Sequence, residues 1–246
     1  MLTLALLIIL SGFNGTAQLS VVGDNYSQIF NVTNGSVIEL PDGSYELRLF
    51  ALNKTFVKFV KIPDDKVVEF NLRFTNSPEN LSVVYHTFIY ASNGVRVDEA
   101  ILISNVGSEN FEGDLAVPLP EFDNLRIKKS ALSFRNAFLN DSNLIFDDLL
   151  VPANSSGEIV IEYELKGWKF HRKANGSFVV LSSLRVSKYS GLKYQGDTLT
   201  YSVFRGNDSY YEIELMRSSL DFPWYAAIFP ATIFAALSLR RGRWKV

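Results

Sequence analysis

Apolar and polar residues alternate along short stretches through most of the chain. In residues 67–74 every second side chain from Val68 is apolar, and in residues 158–165 every second side chain from Ile159 is apolar. A period of two is typical of β-strands that bury one face. Turn signals separate such stretches at intervals of about 8 to 12 residues, a spacing common in antiparallel β-sandwiches. The pattern therefore predicts an all-β fold.

Turn-forming residues divide this pattern further. Asn93-Gly94 and Asn175-Gly176 each stand between strand-like stretches, and Asn-Gly is a preferred two-residue hairpin turn. Residues 131–138 favour a short helix. Residues 76–80, with Pro78 and polar flanks, interrupt the alternation and indicate a linker. We therefore predict a small antiparallel β-sandwich over residues 18–78 and a larger one over residues 79–216.

The N-terminus has the features of a signal peptide. Leu2 to Leu10 is an apolar run of nine residues, about 14 Å long as a helix and too short to span a membrane. Gly15-Thr16-Ala17 supplies small residues before an expected cleavage after Ala17. The n-region carries no Lys or Arg, so an uncleaved segment stays an alternative. We predict that residues 1–17 are the signal peptide.

The C-terminal residues 217–246 contain an uncharged segment of eighteen residues, 222–239, that predicts a single transmembrane helix. Eighteen residues span about 27 Å as a helix, close to the thickness of a bilayer core. Residues 217–221 form a short stalk. Aromatic residues favour the outer interface, a mid-span proline kinks the helix, and basic residues favour the cytoplasmic side. The residues expected in these anchoring roles are Trp224, Tyr225, Pro230, Arg240, Arg241, Arg243 and Lys245.

Three resemblances extend this interpretation. Asp221-Phe222-Pro223, followed by Ile228-Phe229-Pro230-Ala231 and Arg240-Arg241, resembles the archaeal C-terminal sorting signal that begins Pro-Glu-Phe, although Asp221 replaces the usual Glu and Leu220 the usual Pro. This resemblance implies an archaeal surface protein and a tail either retained or processed by sorting machinery. Residues 40–47, LPDGSYEL, resemble a corner of carboxypeptidase-regulatory-like, transthyretin-like sandwiches. Residues 95–120 with 151–165 resemble the Ig-like modules of prokaryotic surface proteins.

Glycosylation sequons are the strongest compositional signal. The motif N-x-S/T occurs ten times, whereas 18 Asn and 34 Ser plus Thr in 246 residues predict about 2.5 by chance. Such an excess favours N-glycosylation on an extracytoplasmic face, although Asn, Ser and Thr also share loops because all three favour turns. One sequon, at Asn14, precedes the expected cleavage. The glycosylation candidates are Asn25, Asn31, Asn34, Asn53, Asn80, Asn140, Asn154, Asn175 and Asn207.

Composition excludes several kinds of chemistry. The chain has no cysteine, so disulfides, thiolate metal sites and a lipoprotein anchor are excluded. The net charge is −2 and no basic stripe lies outside the tail, so we expect no nucleic-acid partner. His86 lies in an apolar strand and His171 at a charged strand end. Neither stands in a known catalytic or metal motif.

Acidic residues offer weaker candidates. Asp64-Asp65 and Asp147-Asp148 are loop pairs that suit calcium or plain solvation. Glu158, Glu162 and Glu164 share one strand face, which favours a solvated face over a pair of catalytic carboxylates. We expect no catalytic residues, no cofactor and no resident metal.

Together these features predict a non-enzymatic surface glycoprotein anchored in the cell membrane, with its ectodomain outside. Its role would be structural, adhesive or ligand-binding, and its partners would be membrane lipid and an envelope protein. An alternative is an accessory or sensor subunit whose helix docks on a membrane complex through small residues, Ala226, Ala227, Ala235 and Ala236. A third is a surface hydrolase with an unfamiliar site.

Overall fold

The computed structural model of the chain describes residues 3–173, 176–207 and 209–216. The all-β prediction is confirmed, because these residues form strands throughout and hold no α-helix, only the 3₁₀ turn Pro78–Asn80. The short helix expected over residues 131–138 is therefore wrong. That stretch contains the single bridge Ser133 to Leu150 and the start of a strand.

The strands follow one another closely along the chain. In order they are β1 (Thr3–Ser11), β2 (Ala17–Gly23), β3 (Tyr26–Val32), β4 (Ser36–Pro41), β5 (Gly43–Ala51), β6 (Lys54–Ile62), β7 (Val67–Asn71), β8 (Phe74–Thr75), β9 (Leu81–Ala91), β10 (Val95–Asn105), β11 (Asn110–Pro118), β12 (Phe122–Ser130), β13 (Asn136–Asn140), β14 (Asn143–Val151), β15 (Ser155–Leu165), β16 (Lys169–Lys173), β17 (Ser177–Ser182), β18 (Val186–Ser190), β19 (Lys193–Asp197), β20 (Ser202–Gly206) and β21 (Tyr210–Leu215).

The chain divides into two compact units. Unit 1 comprises residues 1–75 with 108–110, and unit 2 comprises residues 76–107 with the chain from 111 onward. Unit 1 contains one sheet with strand order β4-β1-β7 and another with order β3-β2-β5-β6. Its buried core includes Leu6, Ile8, Leu47 and Phe70, each at most 1 % exposed.

The N-terminal apolar run is part of this core. Strand β1 pairs with β4 on one side and with β7 on the other, and Leu6, Ile8 and Leu10 are at most 1 % exposed. A short apolar run fits a signal peptide and a buried strand equally well, because periodicity alone does not separate the two. The folded unit therefore begins within residues 1–17 rather than at residue 18. Cleavage after Ala17 stays a prediction, and it would remove β1.

Unit 2 contains a seven-stranded sheet with order β12-β15-β10-β9-β17-β20-β19. Strands β13, β14 and β11 lie side by side in a second sheet, and β16-β21-β18 form a third. Apolar side chains from these sheets share one core, with Ile101, Phe146, Ile161 and Ile213 fully buried. The expectation of purely antiparallel sheets is wrong at two places, because β1 and β7 pair in parallel and so do β9 and β17.

The two predicted hairpins have different outcomes. Strands β9 and β10 pair antiparallel across the turn at Asn93-Gly94, with Ala91 opposite Val95, so that hairpin is confirmed. The hairpin predicted at Asn175-Gly176 is wrong, because β16 pairs with β21 whereas β17 pairs with β9 and β20. Strands β16 and β17 belong to different sheets. An Asn-Gly signal therefore does not determine which strands pair.

Unit 2 has two ends that the strand directions define. At one end, here called the tail end, Ala91 pairs with Val95, Val95 with Leu165, and Ser182 with Ser202. The segments at the tail end are residues 92–94, 119–121, 141–142, 166–168, 183–185 and 198–201, with Met216. The opposite end, here called the sequon end, carries Asn80, residues 106–107, residues 152–154 and Asn207.

The predicted transmembrane segment 222–239 lies outside the described residues, as do the anchoring residues from Trp224 to Lys245. Within the part of the chain that the structure describes, no helix has the length and apolarity needed to cross a bilayer.

Candidate functional site

The sequon asparagines share one structural property. All nine that the structure describes are exposed, and Asn175 lies outside the described residues. The exposed sequon residues are Asn14, Asn25, Asn31, Asn34, Asn53, Asn80, Asn140, Asn154 and Asn207. Exposure of the asparagine is the first requirement for adding a glycan, and every described sequon residue meets it. At Asn34 the side-chain Oδ1 also accepts a hydrogen bond from the Leu10 N–H over 2.9 Å.

The remaining asparagines do not share this exposure. Of the eight outside sequons, four are exposed, two are intermediate and two are buried. The two buried asparagines each bind a backbone carbonyl. The Asn105 side-chain amide donates to the Val151 carbonyl over 3.0 Å, and the Asn110 side-chain amide donates to the Asn71 carbonyl over 2.7 Å. Exposure is therefore complete among the described sequon asparagines and limited to four of eight among the others.

Most sequons stand where strands turn. Asn25 and Asn34 lie in turns between strands. Asn53 and Asn154 also lie in turns between strands, where they adopt positive φ of 59° and 52°. Asparagine tolerates this left-handed region better than most residues. Asn31 is an exception, because it lies within β3, an edge strand. Turn composition favours Asn, Ser and Thr alike, but ten sequons against about 2.5 expected by chance exceed what turn composition alone explains.

A buried ion pair lies in the core of unit 2. Glu99 of β10 and Arg172 of β16 both have side chains that are 0 % exposed. Two parallel hydrogen bonds join them, Nη1 to Oε1 at 2.5 Å and Nη2 to Oε2 at 2.6 Å. The Thr87 hydroxyl donates to the same Oε1 over 2.9 Å, and the guanidinium lies 4.7 Å from the ring centre of Tyr85. This pairing of two charges connects the seven-stranded sheet to the sheet of β16.

Three tyrosines surround the pair. Burial raises the pKa of Tyr85 to about 12, with Arg172 lowering it and Glu99 raising it to smaller extents. Burial also raises the pKa of Tyr163 and Tyr211 well above the usual range. The hydroxyls of Tyr163 and Tyr211 and Nε of Arg172 make no hydrogen bond to the described residues. All three tyrosines are therefore neutral at physiological pH, and they pack in the buried core of unit 2 around the ion pair.

The sequence favours a solvated face for Glu162, but the structure places this side chain in a largely buried ion network. Its side chain is 10 % exposed and contacts Lys128 at 3.0 Å, Arg126 at 3.3 Å and Arg96 at 3.7 Å. Burial alone would raise its pKa, but these cations together hold the pKa below the usual glutamate range. Neighbouring Asp98 differs, because burial raises its pKa and only Lys128 opposes this. The glutamate therefore anchors an ion network across β10, β12 and β15.

The acidic pairs have different surroundings in the two units. Asp147 and Asp148 lie in β14 rather than in a loop, and together with Asp114 they place carboxylate oxygens within 4.8 Å of one another, a group that could hold a cation. Arg135 offsets one of these three negative charges, with Nη2 at 2.7 Å from Asp147 and Nη1 at 3.2 Å from Asp148. In unit 1, Asp64 pairs with Lys61 at 3.0 Å, and Asp65 accepts a hydrogen bond from the Lys61 N–H over 2.7 Å. Each acidic pair thus has a cation or a backbone donor as its partner.

The two histidines lie on different sheets, His86 in β9 and His171 in β16. His171 lines an open depression of about 520 Å³ together with Glu121, Asp141 and Ser142. Among the described residues no hydrogen bond joins His171 to any of these groups. Nucleophilic catalysis needs a nucleophile and a base within hydrogen-bond reach. The depression therefore supports no catalytic assignment.

Two residues of the buried cluster were not identified from the sequence. Glu99 shares the apolar face of Val97 and Ile101 in β10, and a lone carboxylate on such a face signals a buried partner. Arg172 gave no signal, because its neighbours Lys169, His171 and Lys173 suggested a solvated edge. The structure buries Arg172 and leaves the flanking lysines exposed.

Comparison with known proteins places the chain in a family. The chain is 40 % identical over 251 residues to an uncharacterized protein of the archaeon Archaeoglobus fulgidus, covering 97 % of this chain and 90 % of that protein. The chain belongs to the same family as this archaeal protein. No protein-family model matches the chain.

Solved structures with a related arrangement of strands are remote. Two structures of an M1 zinc metallopeptidase from Deinococcus radiodurans, one of them a point mutant, match with 8 % and 9 % identity and TM-scores of 0.33 and 0.34. The matches cover 55 % of this chain and 42 % of each peptidase chain. The chain thus spans about two fifths of those proteins, and a likeness at this level carries no argument about activity.

Proposed function

We propose that the protein is a membrane-anchored surface glycoprotein of an archaeal cell envelope, with a structural, adhesive or ligand-binding role and no enzymatic activity. The observation that carries this proposal is the exposure of all nine described sequon asparagines, against four of the eight other asparagines. Glycosylation requires exposed sequon asparagines, and these nine meet that requirement. A shared preference of Asn, Ser and Thr for turns also favours exposure, so the excess of ten sequons over about 2.5 expected by chance supports glycosylation together with the exposure.

The proposed architecture has two β-sandwich units, the larger Ig-like, followed by a single transmembrane helix over residues 222–239. The three sheets that share one core in unit 2 support the sandwich. The uncharged segment and the basic residues after it support the helix, with the C-terminus in the cytoplasm.

Export is compatible with strand β1. An apolar run that is too short to span a membrane can start export, leave the membrane without cleavage and fold as β1 outside the cell. In this version of the proposal residues 1–17 stay in the mature protein, because unit 1 uses Leu6, Ile8 and Leu10 in its core.

Mass spectrometry of the native protein from archaeal membranes tests the proposal. We expect sequon peptides to carry glycan mass, and Asn154→Gln to remove one glycan. Asn93→Gln is the matched control, because Asn93 is also exposed with positive φ, 50° against 52°, but stands outside a sequon. Recovery of all the sequon peptides without modification would overturn the glycoprotein proposal. A stoichiometric multispanning partner would favour the accessory-subunit alternative.

A further inference from the structure

The described chain leaves unit 2 at the tail end. The Leu215 N–H donates to the Trp168 carbonyl over 2.7 Å, and the Met216 N–H donates to the Arg185 carbonyl over 2.8 Å. Both carbonyls belong to tail-end segments. Five residues, 217–221, separate Met216 from Phe222, where the predicted transmembrane segment begins. A fully extended chain covers at most about 3.6 Å per residue, so the stalk reaches no further than about 18 Å.

The tail end also carries the most exposed large apolar side chain of the described residues. Leu199 is fully exposed, with 105 % of its reference area accessible. It lies in the segment 198–201 between β19 and β20. A single exposed leucine is common on protein surfaces, so the position and the rigidity of Leu199 distinguish it from others.

The segment that holds Leu199 is braced on both sides. The Thr198 N–H donates to the Tyr201 carbonyl over 2.8 Å, and the Tyr201 N–H donates to the Thr198 hydroxyl over 3.0 Å. The Tyr201 ring is 4 % exposed and packs edge-to-face on Phe88 with 5.0 Å between ring centres. Leu199 therefore points outward from a fixed turn and has no core position to which it can collapse.

The tail end carries little net charge. Lys166 pairs with Asp123 of β12 at 3.2 Å, and exposed Glu121, Asp141 and Arg185 lie in the tail-end segments, so two cations stand against three carboxylates. A surface of this kind has no strong preference for anionic over neutral headgroups. Its membrane contact would depend on apolar insertion, with Met216 46 % exposed beside the exit of the chain.

Sequons lie mainly at the other end. Asn80, Asn154 and Asn207 are at the sequon end, whereas Asn140 alone among the described sequons of unit 2 is at the tail end. Residues 137–139, directly before Asn140, line one depression together with residues of β12. Strands β12 and β19 are opposite edges of the seven-stranded sheet, and Leu199 follows β19. A glycan at Asn140 is therefore on the side of unit 2 away from Leu199.

We propose that the tail end of unit 2 rests on the lipid surface and that Leu199 inserts into the interface between headgroups and acyl chains. This inference rests on the proposed function, because it needs residues 222–239 to span the bilayer. It gives unit 2 a defined orientation, with the sequon end directed away from the membrane.

Single-cysteine labelling tests the orientation, since the chain contains no native cysteine. The full chain carrying Leu199→Cys is labelled with a small fluorophore and reconstituted into phosphatidylcholine vesicles that contain brominated lipid. Val106→Cys is the matched control, because Val106 is an apolar side chain, 70 % exposed, at the sequon end. We expect quenching at position 199 to exceed quenching at position 106 at least threefold.

Two results would overturn the inference. The first leaves the proposed membrane anchoring intact, and the second removes it. Quenching at position 199 that does not exceed quenching at position 106, in chain that resists carbonate extraction, means that the anchor holds but the tail end is not the surface of unit 2 directed at the lipid. Release of the chain by carbonate means that residues 222–239 do not anchor it, which removes the proposed membrane anchoring as well.

Discussion

At the scale of single residues, the buried carboxylate of Glu99 supplies the counter-charge of Arg172 in the core of unit 2. Replacing Glu99 with Gln leaves the guanidinium of Arg172 buried without a counter-charge. Removing one partner of a buried pair costs about 3 to 5 kcal/mol. We expect Glu99→Gln to lower the free energy of unfolding by this amount, measured by urea denaturation.

Two variants sharpen this expectation. Glu158→Gln removes an exposed partner of Lys129, 3.8 Å away, and exposed pairs contribute less than about 1 kcal/mol. The double variant Glu99→Leu with Arg172→Met should be more stable than either single change, because no charge then stays buried alone. Additive losses in the double variant would contradict a coupled pair.

Glu162 gives the same unit a dependence on pH. Its pKa is lower in the folded chain than in the unfolded chain, because Lys128, Arg126 and Arg96 outweigh the effect of burial. Its contribution to stability is therefore complete above the unfolded value, about 4.3, and is lost as pH falls through the folded pKa. We expect Glu162→Gln to lower stability at pH 7 and to flatten the loss of stability below pH 5. Parallel stability curves for the two proteins would contradict this role.

At the scale of elements, strand β1 makes the N-terminal segment a requirement for unit 1. Ile8 is 0 % exposed, whereas its neighbour Leu7 is only partly buried on the opposite face. Truncating a buried isoleucine to alanine costs about 2 to 5 kcal/mol. We expect Ile8→Ala to destabilise unit 1 by this amount and Leu7→Ala by about 1 kcal/mol or less, measured by urea unfolding and protease resistance. Similar small losses for both would show that β1 does not hold the core.

The sequence alone defines the strands better than their partners. Alternation correctly predicts that Ile159, Ile161 and Tyr163 are buried, because a half-buried strand shows its period locally. Strand pairing depends on residues distant in sequence, because β16 pairs with β21 about forty residues later and β9 pairs with β17 nearly a hundred residues later. The Asn-Gly pair at 175–176 carries no information about either partner. The sequon residues can be identified from the sequence alone, whereas their common exposure is visible only in the folded structure.

At the scale of the whole molecule, the proposed topology places the whole ectodomain outside the membrane and the basic tail on the cytoplasmic side. The four cations after Leu239 favour the cytoplasmic side. We expect an epitope tag after Val246 to resist protease in right-side-out vesicles until detergent is added, while unit 2 is cleaved from outside.

The basic cluster provides the control for this topology. Changing Arg240, Arg241, Arg243 and Lys245 to Glu keeps the apolar span but removes the charge asymmetry, so part of the population should lose its orientation and expose the tag. Asp and Glu contribute little to orientation by themselves, so the change acts mainly through the lost cations. A wild-type tag that is digested without detergent would place the C-terminus outside, and the exposed sequons would then need a different account of how they face the glycosylation machinery.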